Sequence, residues 1–331
     1  MESYALIYIS YFIIAYMAIV HDTDHPVKFT RIKNVPLLKP SSSLEWESGG
    51  IMAPSVICRN DHWMMLYRAY GKDRISRFGY AESKDGIDWF QDIEPRINPL
   101  HDNFEYSGIE DPRTTKLGDN YYTAYTAFAG KKKFRRTRVR FLKTDNFKDF
   151  TRIKPKVFKR WRGNDKDATL FPEKIDGYYV LLHRLEPSIG LSVSTNLIKW
   201  RKYINVLGPT ENDWESVKVG AGPPPLRTSL GWLVFYHGVS PNKSYSMGAA
   251  ILDIHDPTHV LYRLPYPLLS PEKDYEKNGA VNNVVFGTSA IEIDDGYRLY
   301  YGGADNVICA ASINKKSLLE EIVKYPIKDT R

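Results

Sequence analysis

Asp111 is the residue of this sequence that best suits acid catalysis. It lies in Gly-Ile-Glu-Asp-Pro-Arg, where Glu110 places a second negative charge beside it and Pro112 fixes the backbone φ. A carboxylic acid in this setting can give a proton to a leaving oxygen. Asp111 is therefore the candidate general acid, and the alternative is a salt bridge with Arg113 at the end of a strand.

Four basic side chains could bind an anion near this acid. Inverting cleavage of a glycoside by water needs a second carboxylate to activate the water. Phosphate is already nucleophilic and needs positive charge around it instead, which arginine supplies with a fork of donors. The sequence therefore predicts a cationic phosphate site, and the candidates are Arg138 in TRVRF, Arg184 in LHRL, Lys218 in KVGAGPPP and His237 in FYHGV.

Polar residues recur at corresponding points along the chain. A single one would be structural, but five at matching positions favour a polar pocket on the axis of a repeating fold. These five residues are Arg68 in LYRA, Asp111 in EDPR, Arg184 in LHR, His237 in YHG and Asp305 in GGAD.

The elements that would position these residues form an internal repeat. From Ile51 onward, five segments follow one another at about the 40 to 50 residues typical of propeller blades. Aromatic-rich strands bounded by turn residues recur in each of them, and they read WMMLYRAYG, YYTAYTAFAG, YYVLLHRLE, WLVFYHGV and YRLYYGGAD. The pattern predicts an all-β, five-bladed β-propeller with a short C-terminal helix at Lys315 to Lys324, and the shortage of helices excludes a doubly wound α/β sheet.

Composition excludes several classes of protein. With 331 residues, 43% hydrophobic and 26% charged, the chain is neither a disordered protein nor a minimal module. Cys58 and Cys309 lie far apart, so neither a disulfide scaffold nor a cysteine-zinc site is expected, and no metal is required. A net charge of +7 favours an anionic partner. The basic run at 131–133 and 135–140 is interpreted as a solvated loop and not as a nucleic-acid site.

The amino terminus begins with an apolar run from Tyr4 to Val20, at the lower limit of a bilayer span. It lacks the positive charges of a secretory signal. A membrane anchor, an uncleaved signal-like segment and an extension packed on the domain all remain open. The expected organisation is an apolar segment at 1–25, with membrane contact through residues 4–20, followed by a catalytic domain at 26–331.

Several motifs together resemble glycoside hydrolase family 130 between Phe29 and Ile313. They are WESGG, GIEDPR, KDATLFPEKIDGYYVLLHR, KVGAGPPP, GWLVFYHGV, YEKNGAVNNVVF and YYGGAD. The resemblance implies a five-bladed β-propeller that phosphorolyses β-mannosides with inversion and releases α-mannose 1-phosphate. It implies no cofactor other than inorganic phosphate as co-substrate.

The resemblance also assigns roles to residues. Asp111 corresponds to a general acid that passes its proton through a substrate hydroxyl, and Glu110 beside it is counted with the substrate-binding residues. Arg68 and Asp305 correspond to residues that hold the mannose. The phosphate set corresponds to Arg138, Arg184, Lys218 and His237. Where relatives commonly read Phe-Asn-Pro-Ala, this chain has Met52-Ala53-Pro54-Ser55, so the Ser55 hydroxyl is predicted to replace a missing amide.

The expected function is therefore cytosolic, reversible phosphorolysis of a β-mannoside oligosaccharide. Three alternatives remain, namely a β-mannosyltransferase, a carbohydrate-binding propeller without activity, and an inverting β-mannosidase that uses Glu173, Asp213 or Glu215 as its base. The linkage, the acceptor sugar and the oligomeric state, including a homo-oligomer, are left open.

Overall fold

The computed structural model describes residues 25–130, 136–154 and 164–327. Within these ranges the chain is all-β, as predicted, with 21 strands numbered in chain order. The apolar run at 4–20 and the basic residues 131–133 lie outside the described residues. No helix of the described part is both long and apolar enough to cross a membrane.

The strands form four hydrogen-bonded sheets. The largest sheet contains two antiparallel groups, which a parallel bridge between Ser76 and Gly108 connects, so the chain has five successive groups. The first group contains β2 (Gly50–Arg59), β3 (His62–Tyr70), β4 (Ser76–Ser83) and β5 (Trp89–Gln91). The second contains β6 (Gly108–Leu117), β7 (Asn120–Ala129), β8 (Arg136–Thr144) and β9 (Thr151–Ile153). The third contains β10 (Lys166–Leu170), β11 (Tyr179–Leu185), β12 (Ser188–Ser194) and β13 (Trp200–Leu207).

The last two groups follow the same plan. The fourth contains β14 (Lys218–Ala221), β15 (Leu226–Thr228), β16 (Gly231–Val239), β17 (Tyr245–Leu252) and β18 (Val260–Arg263). The fifth contains β19 (Val285–Ile293), β20 (Gly296–Gly303) and β21 (Val307–Asn314), and β1 (Thr30–Arg31) completes it by pairing with β21. In the described part of the chain two helices accompany them, α1 (Asp274–Lys277) and α2 (Lys315–Ile322), with a 3-10 turn at Asp213–Glu215.

Helix α2 is the C-terminal helix predicted from the sequence, and it ends two residues before the predicted Lys324. Its N-cap is Asn314, whose side chain accepts a hydrogen bond from the backbone N–H of Ser317. This bond satisfies one of the free donors at the start of the helix.

The apolar core is divided into five clusters, each lying between two neighbouring groups. An aromatic pair crosses every junction, with ring centroids between 5.2 and 6.1 Å apart. The pairs are Phe78–Tyr125, Phe141–Trp200, Phe171–Trp232, Phe235–Tyr297 and Tyr300–Trp89. Since the last pair joins the fifth group to the first, the five groups pack in a closed cycle.

A buried hydrogen bond between an acid and an aromatic residue recurs in each of the five groups. The acid precedes the first strand, is at most 2% exposed, and lies 2.7 to 2.9 Å from a second-strand tyrosine or histidine. These acid–aromatic pairs are Glu47–Tyr67, Glu105–Tyr125, Asp165–His183, Glu215–Tyr236 and Glu276–Tyr301. Side chains alternate along a strand, so the residue after each aromatic points to the opposite face. Arg68, Arg184 and His237 occupy this position.

The first strands of groups one to three share a β-bulge, and this bulge gives a better alignment of the repeat than the prolines do. Register shifts place Ala53, Asp111 and Asp167 at equivalent points of β2, β6 and β10, each with a positive φ near 50°. The sequence alignment instead uses Pro172 for the third unit, and that residue lies beyond the end of β10. Proline follows the bulge residue only in the first two groups, so an alignment on proline places the third unit at the wrong residues.

Glu215 provides a test of these acid–aromatic pairs. It accepts hydrogen bonds from Thr210, Tyr236 and Arg263 at 2.7 to 2.8 Å. Glu215→Ala leaves Arg263 buried without a carboxylate partner. The variant is expected to lower the free energy of unfolding by about 3–5 kcal/mol. Tyr236→Phe keeps the ion pair and costs about 1 kcal/mol.

Denaturant titration of the two variants checks this expectation. Glu292→Ala, which removes an exposed ion pair with Lys315, is the matched control and is expected to cost less than about 1 kcal/mol. A loss for Glu215→Ala no larger than that of the control would contradict a structural role for the pair.

Candidate active site

A cavity of about 160 Å³ opens where first strands begin and second strands end. Six acidic or basic residues and one histidine line it, together with an apolar wall. Five of the seven are predicted from the sequence, namely Arg68, Asp111, Arg184, His237 and Asp305. The other two, Lys166 and Asp167, are not among the predicted residues. The fold therefore brings the candidate acid and two of the four candidate phosphate ligands to one place.

Asp111 is held by Arg68 on one side of the cavity. Arg68 donates from Nη1 to Asp111 Oδ1 at 3.0 Å and from Nη2 to Glu110 Oε1 at 2.8 Å. Lys166 Nζ donates to the other Glu110 oxygen at 3.0 Å. Arg113 donates to the backbone carbonyl of Asp111 and not to its carboxylate. The Asp111 carboxyl thus belongs to the cavity, and the alternative salt bridge with Arg113 is not formed.

Asp305 reaches the same side from the turn after β20. Burial raises the pKa of its carboxyl to about 6, although the positive charge of Arg68 opposes the shift. The negative charges of Asp111 and Glu110 raise this pKa further. A carboxyl with this pKa exchanges its proton near neutral pH, so Asp305 can either donate or accept a hydrogen bond there.

Asp167 organises the opposite side of the cavity. Its Oδ2 lies 2.9 Å from Arg184 Nη1, and its Oδ1 lies 3.4 Å from Arg113 Nη2. Burial opposes the negative charge, but the two arginines outweigh it and hold the pKa of Asp167 below its ordinary value. Asp167 is therefore a fixed anion that keeps two buried guanidinium groups in place.

His237 is buried beside this ion pair and is neutral. Burial lowers its pKa to about 3, and Arg184 and Arg113 lower it further against the attraction of Asp167. The sequence prediction counts His237 as a cation, and burial among arginines changes that. Arg184 Nη1 lies 3.4 Å from His237 Nε2. Because a guanidinium can only donate, Nε2 accepts and the proton resides on Nδ1.

Gly220 explains why small residues follow Lys218. A Cβ at this position would lie 2.4 Å from His237 Cε1 and 2.6 Å from Asp167 Oδ2. A larger residue would displace the histidine or the carboxylate, so this glycine permits the close packing of the site.

Four predicted residues do not line the cavity, and their roles stay predictions. Lys218 lies nearby and donates from Nζ to Glu186 Oε1 at 3.1 Å. Glu110 lies beneath Arg68 and Lys166. Ser55 is fully buried and donates to Thr114 Oγ1 at 2.7 Å. Arg138 lies in β8 and donates to the carbonyl of Thr137 at 2.8 Å.

The remaining wall of the cavity is apolar and aromatic. Met52, Val281 and Val284 line it, and the His237 ring lies between Tyr245 and Phe286 with centroids at 5.8 and 4.7 Å. Apolar walls strengthen the electrostatic interactions of the charged groups. Among the described residues, no group of three or more His, Cys, Asp or Glu side chains could hold a metal ion.

An alignment of the repeats on the bulge, instead of on the prolines, would have identified Lys166 and Asp167 from the sequence. Aligned on it, Lys166-Asp167-Ala168 corresponds to Glu110-Asp111-Pro112. The acid pair of the second unit then becomes a lysine–aspartate pair in the third. The same alignment places Arg184 opposite Lys166 in the ladder.

The raised pKa of Asp305 predicts a pH-dependent stability effect. The folded state binds the Asp305 proton more tightly than the unfolded state, whose reference value is 3.8. The contribution of this group is therefore most favourable below pH 4 and is lost as the pH rises through 6. Asp305→Asn has no carboxyl to ionise, so its stability does not fall as the pH rises through 6. The variant is expected to be about 1–3 kcal/mol more stable than wild type above pH 7.

Thermal unfolding at pH 4.5 and pH 7.5 measures this difference. The gain for Asp305→Asn should be present at pH 7.5 and shrink towards pH 4.5. Asp119→Asn, in an exposed turn, controls for the loss of a carboxylate. An equal loss of stability for Asp305→Asn at both pH values would rule out the raised pKa.

Comparison with known proteins gives consistent matches over most of the chain. The model of glycoside hydrolase family 130, described as β-1,4-mannooligosaccharide phosphorylase, matches residues 28–324. The chain is 39% identical over 310 residues to a 1,2-β-oligomannan phosphorylase of Thermoanaerobacter sp. (strain X514), which covers 88% of this chain and 99% of the relative. It is 36% identical over 311 residues to a β-1,2-mannobiose phosphorylase of the same organism, with the same coverage.

A solved structure agrees with these relatives. The β-1,2-mannobiose phosphorylase from Listeria innocua, in complex with β-1,2-mannobiose, superposes with a TM-score of 0.79 and 27% sequence identity. The match covers 89% of this chain and 99% of that chain. The chain is therefore an enzyme that belongs to glycoside hydrolase family 130.

Proposed function

We propose that the protein is an inverting β-mannoside phosphorylase that forms α-mannose 1-phosphate reversibly. Phosphate attacks C1 of the mannose as the bond to the leaving sugar breaks, and the leaving oxygen takes up a proton. The observation that carries this proposal is that a carboxylic acid and a buried arginine–histidine pair line the same cavity.

The fold we propose for this enzyme is a five-bladed β-propeller, with each strand group as one blade. Support comes from the five acid–aromatic pairs and from the five apolar clusters between neighbouring groups. In such a fold the first strands surround a channel, and its mouth collects residues from every blade.

Asp111 supplies the proton in this scheme. The resemblance to the family implies transfer through a sugar hydroxyl, so that Asp111 protonates the hydroxyl as the hydroxyl gives its own proton to the leaving oxygen. Arg68 fixes the position of the carboxyl and stabilises the carboxylate that remains. Asp305 and Arg68 are the groups on this side that can hold the hydroxyls of the mannose.

Arg184 and His237 form the core of the proposed phosphate site. Arg184 is 7% exposed, and neither its Nε nor His237 Nδ1 has a hydrogen-bond partner among the described residues. Buried polar groups of this kind are ordinarily satisfied, so they support an oxygen-rich ligand at this place. Lys218 adds a positive charge next to Arg184 through their shared neighbour Glu186.

The alternative of an inverting β-mannosidase receives less support. Glu173 is exposed and pairs with Arg227, Asp213 lies exposed in the 3-10 turn, and Glu215 is buried against Tyr236 and Arg263. None of these three candidate bases lines the cavity. None of the three bases that the sequence predicts is therefore in a position to activate a water molecule at C1.

The proposed substrate is a β-1,2-linked manno-oligosaccharide. Both Thermoanaerobacter relatives, at 39% and 36% identity, have names that specify β-1,2 linkages. The family description names β-1,4-mannooligosaccharides, which makes the linkage an experimental question.

Product analysis tests the reaction and the linkage together. The enzyme is incubated with β-1,2- or β-1,4-mannobiose, with and without phosphate. We expect mannose 1-phosphate only with phosphate, and faster from the β-1,2 substrate. Free mannose formed at equal rates with and without phosphate would reject phosphorolysis, and preference for β-1,4-mannobiose would reject the linkage alone.

Asp111→Asn tests the proton donor. The amide keeps a hydrogen-bond acceptor for Arg68 but cannot supply the proton, so kcat should fall by about 10²–10⁴-fold with little change in the affinity for mannobiose. Steady-state kinetics and calorimetric binding measure the two quantities. Asp119→Asn is again the control, and turnover of Asp111→Asn within tenfold of wild type would remove Asp111 from this role.

A further inference from the structure

We infer that the carboxylate of Glu186 occupies the position of phosphate beside Lys218 and Arg184, and that phosphate must displace it to bind. Glu186 would then set the affinity for phosphate by competing with it. This inference rests on the proposed phosphorylase function, and it concerns a residue to which neither the sequence motifs nor the site described above give a role.

Glu186 lies in the short turn between β11 and β12, in contact with Arg184, which lines the cavity. A single oxygen, Oε1, lies 3.1 Å from Lys218 Nζ and 3.3 Å from Arg184 Nη2. The side chain is thus a small anion held between two of the proposed phosphate ligands. Phosphate oxygens accept hydrogen bonds from the same donors.

The turn is fixed while the side chain is not. The N–H of Val219, next to Lys218, donates to the carbonyl of Pro187 at 3.0 Å, which ties the turn to β14. The Glu186 side chain is 58% exposed, whereas that of Arg184 is only 8% exposed. Rotation of the carboxylate into solvent therefore requires no backbone movement and leaves the buried guanidinium in place.

The local charge balance favours displacement of Glu186 by phosphate. Arg113, Arg184 and Lys218 are positive, Asp167 and Glu186 are negative, and His237 is neutral. Lys166 is left out of this sum because Glu110 compensates its charge. The group carries a net charge of +1 with Glu186 in place and of +2 when Glu186 turns away. A phosphate dianion is neutralised in the second arrangement and leaves a negative charge in the first, so its binding expels the carboxylate.

Glu186 remains charged where phosphate binds. Burial opposes ionisation, but Lys218 and Arg184 lower the pKa of this carboxyl below its ordinary value. The competition therefore operates throughout the neutral range and does not depend on protonation of Glu186.

Two other roles for Glu186 would change the KM values of the Glu186→Gln variant differently. If it positioned Lys218 and Arg184 for phosphate, its removal would raise the KM for phosphate. If it bound the leaving sugar, its removal would raise the KM for mannobiose and leave that for phosphate unchanged.

The experiment measures both KM values for wild type, Glu186→Gln and a control. Glu173→Gln is the matched control, because Glu173 is also a half-exposed glutamate paired with an arginine, Arg227. Removing the competing charge is expected to lower the KM for inorganic phosphate by about three- to tenfold, the size of one or two exposed ion pairs. The KM for mannobiose should stay at the wild-type value, and the control should match wild type in both.

The outcomes separate this inference from the proposed function. Wild-type enzyme that makes no mannose 1-phosphate from mannobiose and phosphate overturns both. Wild-type enzyme that makes it, with a KM for phosphate in Glu186→Gln that is unchanged or raised, overturns only the inference. Calorimetric titration with inorganic phosphate alone gives a second readout, in which Glu186→Gln should bind more tightly than wild type and Glu173→Gln should not.

Discussion

The hydrogen bond between a buried acid and an aromatic residue is the constraint on which the rest of the structure depends. It ties the segment that enters each strand group to the second strand of that group. The residue after the aromatic points to the opposite face of the strand, and Arg68, Arg184 and His237 reach the cavity in this way. Loss of such a pair would leave a buried acid without its hydrogen-bond donor, and it would also move the neighbouring side chain that lines the cavity.

One side of the cavity is acidic and the other is basic, and each side also contains residues of the opposite charge. Arg68 and Lys166 balance the acids on one side, and Asp167 balances the buried arginines on the other. Charged groups in a dry site require such partners. The protein therefore holds an acid and a cationic site close together without their neutralising each other directly.

The all-β class and the proposed chemistry could be predicted because they depend on residue types and on periodicity. Asp111, Arg184 and His237 were recognised at strand ends, where few polar residues are needed for folding. Asp167 is absent from the predicted residues because proline follows the bulge residue in the first two groups, whereas alanine, Ala168, follows it in the third. The neutral state of His237 depends on burial among arginines, which distant segments create and no local pattern encodes.

Pairing of β1 with β21 joins residues near the two ends of the chain, as Thr30 faces Ser312 in the ladder. Arg31 in the same short strand binds both carboxylate oxygens of Glu276. β1 precedes every other described strand in the chain, whereas its partner β21 is the last of them. The fifth group can therefore be completed only after β21 has been synthesised, and until then β1 has no strand of its own sheet to pair with.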